Sequence, residues 1–67
     1  MALLSSWEKV EQAFVAYQAR CLWQEEDDRV LLVFQSRQDW RKFLCRIQEL
    51  GIEYRGSYHA KELILYR

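Results

Sequence analysis

Residues 36–51, S-R-Q-D-W-R-K-F-L-C-R-I-Q-E-L-G, constrain this chain more than any other stretch, because they spell a helix with both ends marked. Trp40, Phe43, Leu44, Ile47 and Leu50 recur at helical spacing and form one apolar stripe. Ser36 is placed to cap the first amides, and Asp39, three positions on, to reach back in a capping-box arrangement. Gly51 supplies the left-handed stop. A helix so bounded divides the chain into two halves, each of which must then be read by itself.

The first half opens with a second helix, expected over residues 3–20. Leu3, Trp7, Val10, Phe14, Tyr17 and Cys21 make an apolar seam, and Ser5 with Glu8 offers another capping box. Val15 and Ala16 lie off the seam and are expected to widen the buried face. Residues 20–24 read as a short strand, with Cys21 and Trp23 on one side and Leu22 and Gln24 on the other. The acidic run Glu25-Glu26-Asp27-Asp28 then serves as a hairpin connection. A calcium loop needs alternating ligands, a glycine at the bend and a distal glutamate, and this run has none of these.

Residues 29–35, R-V-L-L-V-F-Q, form the strongest strand in the sequence. Val30, Leu32 and Phe34 share one face and Leu31 and Val33 the other, so the strand is apolar on both sides, as an interior strand is. After the central helix, residues 52–58 alternate Ile52, Tyr54, Gly56 and Tyr58 against polar neighbours, the pattern of an edge strand. His59, Ala60 and Lys61 make the turn. Residues 62–67 close the chain, with Leu63 and Leu65 on one face and Ile64 and Tyr66 on the other.

The expected fold is therefore one α+β domain over residues 1–67, an α-β-β-α-β-β two-layer sandwich. The two-sided second and fourth strands belong in the middle, which gives a four-stranded antiparallel sheet of order 1-2-4-3. The rival order 1-2-3-4 would centre a polar-faced strand and make strands 2 and 3 parallel. Both helices then cover one face. Trp7 and Trp40 hold corresponding places in their helices, which suggests two tandem α-β-β units.

This arrangement leaves a second apolar face on the sheet, made either by Leu31 and Val33 or by Val30, Leu32 and Phe34, joined by Ile64 and Tyr66 or by Leu63 and Leu65. Leu31, Val33, Ile64 and Tyr66 are the candidate protein interface. On so short a chain, self-association is the simplest cover, because it also enlarges the core. The expected partner is accordingly a protein, a second copy first of all.

Composition narrows the function classes. Apolar residues make up 51% of the chain, with three Trp, four Tyr and three Phe, which marks a globular domain. Ten basic and ten acidic residues cancel, yet they are unevenly placed. Residues 1–33 carry three basic against six acidic, and residues 34–67 carry seven against four. A balanced total gives little long-range pull on nucleic acid. Cys21 and Cys45 lie outside any C-x-x-C pair and read as reduced thiols of a cytoplasmic protein. No run approaches the roughly 20 apolar residues of a membrane span, and the N-terminus lacks a signal-peptide pattern.

One histidine, His59, and two isolated cysteines match neither zinc spacing nor a Cys–His nucleophile pair. With Gly51 and Gly56 the only glycines, there is no phosphate-cradling loop. The expectation is a non-enzymatic chain without metal or cofactor.

A nucleic-acid reading rests on Arg37 and Arg41, one turn apart on the exposed side of the central helix, and on Lys42 and Arg46 further round. Arg55, Lys61 and Arg67 add charge in the closing hairpin, where Tyr54 and Tyr58 offer rings for stacking. Arg37, Arg41, Lys42, Arg46, Arg55 and Tyr58 are thus candidate contacts to nucleic acid or an acidic partner. Against this, any amphipathic helix needs a solvated face, and Asp39, Glu49 and Glu53 dilute the patch.

Overall fold

The computed structural model describes residues 5–67, in the order α1 (Ser6–Val15), β1 (Cys21–Glu25), β2 (Arg29–Phe34), α2 (Arg37–Leu50), β3 (Tyr54–Ser57) and β4 (Glu62–Tyr66). The sheet has the order β1-β2-β4-β3, with every neighbouring pair antiparallel, as the strand faces require. Both helices bury their stripes against the same face. Val10 of α1 and Trp40, Phe43 and Ile47 of α2 form one core with Cys21, Val30, Leu32, Phe34, Leu63 and Leu65.

The helix ends follow the sequence closely, with one difference. Ser36 Oγ accepts from the Asp39 amide at 3.1 Å, and Gly51 ends α2 at φ 70°, where Ile52 N–H reaches the Ile47 carbonyl at 3.4 Å. The Asp39 carboxylate, however, pairs with Arg20 at 2.8 Å. The guanidinium is a stronger partner than a backbone amide, and the bond ties the start of α2 to the turn that follows α1. At α1, Ser5 Oγ accepts from the Glu8 amide at 3.1 Å.

α1 is shorter than residues 3–20, and Leu3 lies outside the described residues. Beyond Val15 the chain proceeds by turns, with Tyr17 N–H bonded to Phe14 O and Arg20 N–H to Tyr17 O, both at 2.8 Å. These turns let the Tyr17 ring meet Phe34 and Phe43 edge-on, at centroid distances of 6.2 and 5.5 Å. The expectation that Val15 and Ala16 widen the buried face is overturned, since Val15 is 62% exposed and Ala16 is exposed as well. Val15 sits roughly 140° round the helix from Val10. Ala13, on the seam side, packs against the core instead.

Hydrogen bonds outlast the regular strands. Gln35 N–H reaches Arg20 O at 3.1 Å and Tyr66 N–H reaches Glu53 O at 2.9 Å, so extended backbone continues past β2 and before β3.

The two α-β-β halves differ at their tryptophans. Trp40 Nε1 donates to the Glu62 carbonyl at 2.8 Å, and its ring lies where a side chain on Gly56 would come within 3.2 Å. Only glycine leaves room there without displacing Trp40 or Leu63. Trp7 has no such acceptor, and its buried Nε1 is unpaired among the described residues. The same Trp→Phe change therefore has unequal costs. Trp40→Phe removes a made hydrogen bond, whereas Trp7→Phe removes an unmade one. In urea titrations Trp40→Phe is expected to destabilise the chain by about 1 kcal/mol more than Trp7→Phe; equal midpoints would refute the assignment.

Candidate interaction surfaces

The strand register decides what the uncovered sheet face carries. Alternation sends Cys21, Val30, Leu32, Phe34, Leu63 and Leu65 to the helices and their neighbours to the other side. One row across that side is Leu22, Val33, Glu62 and Ser57, and the next is Gln24, Leu31, Ile64 and Arg55. Arg29 and Tyr66 stand opposite one another beyond them. The structure thus brings the four expected interface residues, Leu31, Val33, Ile64 and Tyr66, into one band across the two central strands. All four are half-buried, each shielded by its neighbours in the sheet.

Leu22 extends the band at the β1 edge and is 53% exposed. Its face was legible in the alternation of β1, but its place beside Val33 depends on the hairpin register. Polar groups rim the band. Arg29 is held by Glu26 at 3.1 Å and Asp28 at 3.5 Å, whereas Arg67 pairs with Glu25 at 2.9 Å on the helical side of the sheet, where its guanidinium also lies 5.0 Å from the Trp7 ring centroid. These are exposed pairs and contribute little to stability. The acidic run therefore does two jobs, closing the β1–β2 hairpin and pairing with Arg29 beside it and Arg67 after β4.

The candidate cationic residues fall on three separate surfaces. Arg37, Arg41 and Tyr58 come together beside β3, with the guanidinium carbons 5.2 and 5.8 Å from the tyrosine ring centroid. Lys42 and Arg46 lie roughly 140° further round α2, where Arg46 meets Glu49 at 3.4 Å. Arg55 pairs across the sheet with Ile64, on the open face. Tyr54, the other ring expected to stack, has its hydroxyl held by Gln48 Nε2 at 2.8 Å.

His59 follows Tyr58 in the turn before β4, its ring 6.3 Å from the tyrosine ring. Cys45 is exposed on α2, as its helical position requires, and Cys21 is buried in the core. Burial pushes the Cys21 thiol up to about 11. It remains a neutral thiol at ordinary pH and is a poor nucleophile. No described helix is long and apolar enough to cross a membrane.

The Cys21 shift predicts a stability loss in alkali. The unfolded thiol ionises near pH 8.5–9 and the folded one near 11, so above about pH 9 the unfolded chain binds fewer protons and gains ground. This contribution is intact below about pH 8.5 and is lost as pH rises to 11, by at most about 2.7 kcal/mol. Thermal unfolding should show a steeper alkaline decline for the wild type than for Cys21→Ala; parallel curves would contradict it. No family model, curated protein or solved structure matches this chain, so what these surfaces can do is argued from their own residues.

Proposed function

We infer that this chain is a small, non-enzymatic protein-interaction module of the cytoplasm, a regulator, adaptor or inhibitor, that pairs with a second copy through its open sheet face. The observation that carries this reading is the continuous band Leu22, Leu31, Val33, Ile64 and Tyr66 on the side of the sheet away from both helices. A face of this kind is complementary to itself when two copies pack sheet on sheet, the isologous geometry of a two-fold dimer.

Size sets the strength of such a dimer. Four strands of about five residues present a projected face of roughly 300 Å², well below the roughly 800 Å² per partner of a standard interface. The apolar band alone therefore gives a weak dimer, with a dissociation constant on the order of micromolar. The rim groups Gln24, Arg29, Arg55 and Glu62 set how the two sheets align.

A nucleic-acid module is the second reading, favoured by the stacking of Arg37 and Arg41 on Tyr58. The dispersal of Lys42, Arg46 and Arg55 onto other surfaces weighs against a continuous backbone track.

Light scattering or sedimentation across a micromolar concentration series should show a monomer–dimer equilibrium. Leu31→Glu, at the centre of the band, should shift it to monomer, while Lys9→Glu on α1 should not. A wild-type chain that stays monomeric up to millimolar concentration removes the self-association reading. For the alternative, a gel shift at low salt must show binding that falls steeply with salt and weakens in Arg41→Ala/Arg46→Ala.

A further inference from the structure

Of the seven arginines, four have a carboxylate partner: Arg20, Arg29, Arg46 and Arg67. Arg37 and Arg41 have none among the described residues, although they stand one helical turn apart. Both guanidiniums lie against the Tyr58 ring instead. That ring is held in place from below. Trp40 meets it edge-on at 5.5 Å, and Trp40 is pinned by its bond to the Glu62 carbonyl. Arg37 Nη2 also donates to the His59 carbonyl at 3.4 Å.

Between these side chains and Gln38 lies a concavity of about 230 Å³, with no acidic residue in its lining. Two like charges one turn apart on a helix repel. Here both lie against one ring and are left with most of their N–H donors unused among the described residues, which is what a doubly charged oxyanion requires.

We propose that the Arg37–Arg41–Tyr58 concavity binds a phosphate monoester carried on a side chain of a partner protein. Compactness favours this over a nucleic-acid backbone. The site is a single notch: Lys42 and Arg46 lie round α2, Arg55 lies on the other side of the sheet, and Lys61 in the adjoining turn is held by the Gln35 carbonyl at 3.3 Å. Gln38 adds an amide able to donate to a third phosphate oxygen. The proposal is independent of sheet-face pairing, because the notch is on the helical side of the β3 edge.

The test is a titration followed by NMR, reading the Trp40 indole N–H and the Arg Nε–H signals at low salt. The probes are inorganic phosphate, a glycine-rich peptide with one phosphoserine, the same peptide unphosphorylated, and an eight-nucleotide thymidine strand. Saturable shifts are expected with phosphate and the phosphopeptide and not with the unphosphorylated peptide. Arg41→Gln should weaken phosphopeptide binding at least about tenfold. Lys42→Gln, the same charge change on the far flank, should leave it within about twofold.

Absence of saturation with both phosphate and phosphopeptide overturns the proposal. So does equal loss in the two variants, which would mean unspecific charge attraction. Markedly tighter binding of the thymidine strand, with a steep salt dependence, would replace the phosphoprotein by nucleic acid.

Discussion

Pairing of β2 with β4 is the contact on which the rest of this structure depends. These strands are far apart in sequence, yet Val30↔Leu65, Leu31↔Ile64 and Leu32↔Leu63 stand opposite one another at the centre of the sheet. The pairing joins the two α-β-β halves, fixes the order β1-β2-β4-β3 and places both helices over one face. Because both strands are apolar on both faces, alternation alone does not fix this register, and side-chain fit against the helices has to select it. A slip of one residue would send Val30, Leu32, Leu63 or Leu65 away from the helices and bring less complementary side chains in. The same sequence spacing separates Trp7 from Trp40 as Leu31 from Ile64, the pair at the centre of the sheet.

A sheet apolar on both faces under only two helices has a consequence for a chain this short. The helical layer closes a core in which Val10, Val30, Leu32, Ile47, Leu63 and Leu65 are fully buried, while the far face holds more apolar surface than strand pairing alone can shield. The two surfaces proposed for interaction are different in kind. One is a broad apolar band that gains from exclusion of water; the other is a small charged notch that gains from directed hydrogen bonds. Trp40 ties the notch to the core, since its indole is at once a core residue, the neighbour of Gly56 and the support for Tyr58.

Much of the fold was legible because it is written locally. Ser36 and Gly51 bound α2 through their own backbone geometry, and period-two alternation sorted Leu31 and Val33 from Val30, Leu32 and Phe34. At Asp39 and at the end of α1 a distant residue takes the place that the local pattern gives to a neighbour. Asp39 suits a capping box, but Arg20 takes its carboxylate. α1 carries a helical pattern through Tyr17, but ring packing with Phe34 and Phe43 turns the chain early.

The candidate site was legible in its parts and not in its grouping. Spacing identified Arg37 with Arg41 and Lys42 with Arg46 as pairs, because partners one turn apart are a property of the helix alone. That Tyr58 joins the first pair, that Arg55 falls on the opposite face and that Leu22 lies beside Val33 follow from hairpin register and from how α2 crosses the sheet. By itself the sequence determined the elements, their caps and which side of each seeks the core, since hydrophobic period and turn chemistry act over a few residues. Only the tertiary structure decided which charges and rings meet, because those contacts join residues that nothing in the local chain holds together.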